Sequence, residues 1–182
     1  LSPRRGTPGL FAIVSRGGAF AVDLGFKLYR SLGEDLSRHL AAGEIVRLEA
    51  ARPVRIADAA KADLFTYSAD VRRLVDGDTL VAAIEVLPGI FLEEKLRLRG
   101  LDAPEIATAA GRAAKRFVES LLAGATGITL CTTKPDKYDR YLADVFIATA
   151  AGDVFLNNAL LANGHAVTKE VWEFGDWEKE LL

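Results

Sequence analysis

From residue 64 onward, apolar and polar positions alternate in short runs separated by turn residues. Phe65 to Leu74 reads as a strand, Val75-Asp76-Gly77-Asp78 as a tight turn and Thr79 to Val86 as the next strand. Leu87-Pro88-Gly89 turns the chain. Leu92 to Leu101 then returns as a strand in which Leu96 and Leu98 alternate with Lys95, Arg97 and Arg99. Ala114, Phe117, Leu121 and Leu122 recur at helical spacing, which predicts a helix over 109–123 with Gly124 after it. A strand at 128–133, a polar loop at 134–140, a strand at 141–148 and a helix at 156–163 stopped by Gly164 follow. A short strand and a last helix from Trp177 complete the chain. Strands in this order, joined by short turns, predict an all-β/α+β domain: a five-stranded barrel carrying two or three helices.

The first 63 residues read differently, as a small α+β accessory unit. A strand is expected over 10–15. After the Gly17-Gly18 turn, a half-buried strand runs from Phe20 to Leu28 at period two. Ser31 with Glu34 three residues later makes a capping box ahead of a helix over 32–42, ended by Gly43. Ile45 to Leu48 is a further strand, and 50–63 reads as an irregular connection. The expected division is therefore 1–63 and 64–182.

Composition limits the class. Of 182 residues, 50% are apolar and 26% charged, which excludes a disordered chain, a collagen and a disulfide scaffold. No apolar run approaches the roughly 18 residues that span a bilayer, so no membrane partner is expected. The net charge of −2 argues against a protein that coats nucleic acid by positive potential alone. It conceals a split: residues 1–73 sum to +4 and 74–182 to −6. Cys131 is the single cysteine, too few for an internal disulfide and best read as a buried small hydrophobe. The chain begins at Leu1 and holds no methionine, so the expectation is that a natural start has been removed or lies upstream.

The chemistry collects at four places. Asp78 opens a strand, Arg97 lies on the third strand, Asp102 and Glu105 stand in Leu101-Asp102-Ala103-Pro104-Glu105, and Arg140 follows Asp136-Lys137-Tyr138-Asp139. Two carboxylates from different strands, with a backbone carbonyl, make an oxygen-rich pocket for a hard cation such as Ca²⁺. A third carboxylate, offset by a proline, can act on a nearby water. Paired arginines match phosphate oxygens. Together these are the parts of phosphodiester hydrolysis. His39, His165 and Cys131 make no credible zinc site.

Three ordered blocks carry a resemblance: Val75-Asp76-Gly77-Asp78-Thr79, Leu96 to Glu105, and Asp136-Lys137-Tyr138-Asp139-Arg140-Tyr141-Leu142-Ala143. They resemble the signature blocks of the staphylococcal (micrococcal) nuclease family, and Phe155 to Gly164 is similar to its second helix. The resemblance spans about 65–180 and implies an OB-fold barrel. It also implies a Ca²⁺-dependent endonuclease acting on DNA and RNA, cleaving P–O5′ bonds to leave 3′-phosphates. By motif, the resemblance assigns Asp78, Asp102 and the carbonyl of Ala103 to the cation. It assigns Glu105 to the attacking water, Arg97 and Arg140 to the phosphate, and Lys137 and Tyr138 to substrate binding. The loop after Glu105 is shorter than in the best-known member, and the stacking tyrosines beyond the second helix find no counterpart, Trp172 standing nearby. DNA and RNA, with single strands favoured, are the implied partners, and no obligate protein partner is evident. The alternative is a non-catalytic nucleic-acid- or protein-binding module. The arginines of 1–63 are weighed as a substrate tether and read instead as a solvated surface. The residues fix no compartment; the resemblance favours a secreted or periplasmic one.

Overall fold

A computed structural model describes residues 1–135 and 140–169. In the N-terminal part, β1 (Leu10–Arg16), β2 (Ala19–Gly25), β3 (Leu28–Ser31), the single helical turn α1 (Glu34–Ser37), β4 (Ile45–Glu49) and β5 (Arg52–Arg55) succeed one another. The strands form an antiparallel sheet in the order β3-β2-β1-β4-β5. Phe11, Ile13, Val22, Leu24, Leu32 and Val46 make its core, as the period-two alternation requires.

Four expectations for this part are corrected. The strand over 20–28 is two strands, because Phe26 and Lys27 take left-handed backbone conformations (φ 53° and 60°) and turn the chain. The helix over 32–42 shrinks to one turn, since Leu36 stays exposed and, past Leu32, Leu40 alone packs against the core, and only partly buried. Its capping box does not form: Ser31 pairs with Ala21 in the sheet, and Gly33 caps the turn without a side-chain bond. Residues 52–55 are strand rather than connection. Ala50 and Ala51, at φ 45° and 71°, make the hairpin turn that Asn-Gly usually signals, so the sequence carried no marker of it.

The remainder comprises β6 (Thr66–Leu74), β7 (Thr79–Leu87), β8 (Ile90–Leu98), β9 (Leu101–Asp102), α2 (Ala109–Ala123), β10 (Ala125–Pro135), β11 (Tyr141–Thr149), β12 (Gly152–Phe155), α3 (Leu156–Ala162) and β13 (Val167–Thr168). Strand β7 lies antiparallel between β6 and β8. Strand β8 pairs parallel with β11, Leu96 to Leu98 beside Tyr141 to Ala143. Strand β10 pairs with both β11 and β6 and closes the ring. This is the expected five-stranded OB-fold barrel, mixed in strand direction and carrying helices. Leu80, Ala82, Ile84, Leu96, Leu98, Ala143, Val145 and Ile147 alternate into its centre, sealed by Val118 of α2 and by Leu156 and Leu160 of α3. The helix boundaries at 109–123 follow the sequence pattern residue for residue.

The two parts share a core. Phe26 leaves the N-terminal sheet and packs in the barrel cluster, 5.2 Å from the Tyr67 ring and 4.7 Å from Tyr141. Tyr67 Oη donates to the Leu24 carbonyl at 3.0 Å. Among the described residues no helix is long and apolar enough to cross a membrane.

Candidate active site

The turn Val75 to Asp78 is closed by the Val75 N–H donating to the Thr79 carbonyl (2.9 Å), which sets Asp78 at the mouth of the barrel on the first residue before β7. Its carboxylate is 5% exposed but not orphaned. Oδ1 accepts the Thr79 hydroxyl at 2.8 Å and Oδ2 accepts the Ala103 N–H at 2.9 Å. Burial pushes the Asp78 carboxyl above the ordinary aspartate range, and the Ala103 N–H, the Arg97 guanidinium and the Thr79 hydroxyl oppose that rise. The Ala103 bond ties the two loops bearing Asp78 and Asp102 to each other.

Arg97, at the end of β8, reaches between the two carboxylates. Its Nη2 lies 3.4 Å from Asp78 Oδ2 and forms a short ion pair with Asp102 Oδ1. Asp102 is half exposed, and Lys169 Nζ stands 3.7 Å from the same Oδ1. Strand β13 brings Lys169 there: Val167 pairs with Asp102, and the Lys169 N–H donates to the Gly100 carbonyl at 3.0 Å. Two carboxylates this close repel each other, and the bridging guanidinium offsets that repulsion. They converge on one positive group and present only hard oxygen donors. The residues therefore fit a hard divalent cation, with the Ala103 carbonyl adjacent in the chain.

Glu105 is exposed and lies beyond Pro104. Among the described residues no three Asp, Glu, His or Cys side chains gather into a metal-holding group, so Glu105 does not join Asp78 and Asp102. Its backbone is rigidly placed. The Glu105 carbonyl accepts the Thr108 N–H at 2.9 Å and the Thr108 hydroxyl at 2.7 Å, while Thr108 caps α2 by accepting the Gly111 N–H at 2.9 Å. Arg140 is half-buried beside Tyr141. Tyr141 pairs with Leu96 and Leu142 with Arg97, so the parallel pairing draws the two arginines to one end of the barrel. Lys137, Tyr138, Trp172 and the helix expected from Trp177 lie outside the described residues.

Sequence reasoning passed over the residues that let α2 approach this site. A Cβ on Gly111 would stand 2.1 Å from the Glu105 carbonyl oxygen and 2.5 Å from that of Pro104. A Cβ on Gly77 would meet Ala114 at 2.8 Å and Ala103 at 3.0 Å. The available signal was Gly111 itself, since glycine inside a helix costs about 1 kcal/mol and needs a packing reason. Gly111→Ala is accordingly expected to reverse the usual propensity gain. The backbone collision costs about 1–3 kcal/mol, so the melting temperature falls. A more stable alanine variant would contradict this packing.

Comparison with known proteins agrees with the geometry. Residues 95–182 match the family model described as staphylococcal nuclease homologue. Two rice proteins (Oryza sativa subsp. japonica) align over 47% of this chain. The probable staphylococcal-like nuclease CAN4 is 33% identical over 85 residues, and the probable staphylococcal-like nuclease CAN3 is 29% identical over 90. The aligned stretch covers only 15% and 22% of those proteins' own lengths. From the end of β8 onward, residues 95–182 are thus similar to a staphylococcal nuclease domain.

Proposed function

We propose that this chain is a Ca²⁺-dependent endonuclease that hydrolyses phosphodiester bonds of DNA and RNA. Cleavage is at P–O5′ and leaves 3′-phosphate ends. The observation that carries this reading is the convergence of Asp78, Asp102 and Arg97 at one end of an OB-fold barrel of a nuclease family. Asp78, Asp102 and the Ala103 carbonyl would hold the cation. Ca²⁺, when bound, supplies positive charge to the phosphate oxygens. Arg97 and Arg140 bind the scissile phosphate through planar, charge-assisted hydrogen bonds that strengthen as negative charge builds. Glu105, exposed and held by the Thr108 turn, takes a proton from the attacking water. Lys137 and Tyr138 belong to the substrate path, and single strands are the favoured substrate. Residues 1–63 are the accessory part and 64–182 the part that bears the chemistry.

The test is incubation of plasmid DNA and of RNA with the protein in Ca²⁺ and in chelator. Cleavage in Ca²⁺, lost in chelator and yielding 3′-phosphate ends, is expected. No Ca²⁺-dependent cleavage at micromolar protein would overturn the proposal. Tight binding of single strands without hydrolysis would select a non-catalytic binding module instead.

A further inference from the structure

Behind the site lies a buried polar network that the nuclease chemistry does not itself require. Asp144 is 1% exposed in the run Leu142-Ala143-Asp144-Val145-Phe146, otherwise entirely apolar. Arg99 meets it with both prongs of the guanidinium, Nε to Oδ1 at 2.7 Å and Nη2 to Oδ2 at 2.6 Å. Asn157, fully buried on α3, accepts the Val145 N–H at 3.1 Å and donates through Nδ2 to the Arg99 and Ala143 carbonyls, both at 3.0 Å. The N-terminal segment completes the shell. The Ser2 carbonyl accepts Arg99 Nη2 at 2.9 Å, and the Arg4 N–H donates to Asp144 Oδ2 at 2.7 Å.

The location of the pair gives it a second role. The parallel contact of β8 with β11 holds only three register pairs, Leu96–Tyr141, Arg97–Leu142 and Leu98–Ala143. Arg99 and Asp144 are the next residues on each side, and the Arg99 N–H still donates to the Ala143 carbonyl at 2.9 Å. Parallel pairing this short is weakly specified by backbone bonds alone, and a one-residue slip would carry Arg97 to the other face. A bidentate, desolvated fork admits one relative placement of its two strands. Arg97 precedes Arg99 by two residues, Asp102 follows it by three, and Arg140 precedes Asp144 by four.

We propose that Arg99, Asp144 and Asn157, closed over by the strap of residues 2–6, are positioning residues. They lock the β8–β11 register and so fix the spacing of Arg97 and Asp102 against Arg140. The strap is built in rather than draped. The Gly6 N–H donates to Thr66 Oγ1 at 3.0 Å, Arg5 pairs with Asp153, and a Cβ on Gly6 would stand 2.3 Å from the Asp63 carbonyl oxygen. The positioning role rests on the nuclease reading above, because its consequence is felt in the chemical step.

Replacing the pair by apolar residues separates positioning from bulk stability, because a buried ion pair exchanged for well-packed apolar groups is often no less stable. Arg99→Met with Asp144→Leu is compared with wild type by thermal unfolding and by kcat and KM on a single-stranded oligonucleotide in Ca²⁺. A melting temperature within about 4 °C of wild type is expected. In that folded protein kcat should fall about tenfold to hundredfold, the effect of an ångström-scale misplacement, with KM changed less. Should the double variant not fold, Asp144→Asn, which keeps the shape but loses the charge, and Gly6→Ala, which lifts the strap, are compared in its place, each once thermal unfolding shows that it is folded. Each is expected to lower kcat more than it raises KM. A stable variant with wild-type kcat overturns the positioning role and leaves the nuclease reading intact. An inactive wild-type protein overturns the nuclease reading and, with it, the inference.

Discussion

Asp78→Asn is expected to leave the barrel standing while Ca²⁺-dependent cleavage falls by about 10²- to 10³-fold, the loss typical of removing one electrostatic partner of a charged transition state. The side chain is almost wholly buried, and burial already disfavours its charge. Asparagine keeps an oxygen for the Ala103 N–H or the Thr79 hydroxyl and occupies the same space. Arg97 retains Asp102, so no buried guanidinium is left unpaired. Stability should therefore hold or rise, while one of two carboxylates that would hold the cation disappears. Thermal unfolding without metal, calorimetric Ca²⁺ titration and plasmid cleavage on one preparation separate these effects. A collapsed melting temperature would make Asp78 chiefly structural, and unchanged Ca²⁺ binding would remove it from the cation site. The expected divergence of stability and activity is the usual mark of a functional carboxylate held under desolvation cost.

Much of this site was legible because its chemistry is written in contiguous motifs. Asp78 follows Gly77 into a strand, and Asp102 and Glu105 straddle Pro104, so spacing alone puts them at strand ends. The bridging of Asp78 and Asp102 by Arg97 was not legible, since it depends on the separation of β7 from the β8–β9 turn. Lys169 reaches Asp102 only because β13 pairs with β9, a two-residue ladder too short to leave a pattern. Asp144 was visible as a lone charge in an apolar strand, but its partner Arg99 looked like any outward residue of an alternating strand. In the N-terminal part, Phe26 alternates like its neighbours, yet its backbone turns left-handed and its ring leaves one core for another. Periodicity reports which side chains are apolar; it does not report which core receives them.

Glu105→Gln tests the chemical step most sharply, with an expected fall in kcat of about 10²- to 10⁴-fold. The residue is exposed and stands apart from the Asp78–Asp102 pair, so the substitution should change stability by no more than about 0.5 kcal/mol. Ca²⁺ affinity and KM should likewise stay near wild type, because neither the carboxylates proposed to hold the cation nor the arginines proposed to bind the phosphate are touched. Glutamine keeps the length and a hydrogen-bond acceptor, so it can still hold a water, but it cannot take the water's proton. Glu105→Asp keeps the proton acceptor and withdraws it by one methylene. If proton transfer is the role, aspartate should retain more activity than glutamine. If holding the water in place is the role, glutamine should retain more, since it preserves reach. Single-turnover cleavage of one oligonucleotide by the three proteins distinguishes the two. A glutamine variant within threefold of wild type would remove Glu105 from the reaction, because the backbone that places it is fixed by Thr108 and Gly111 whether or not the side chain is ionised.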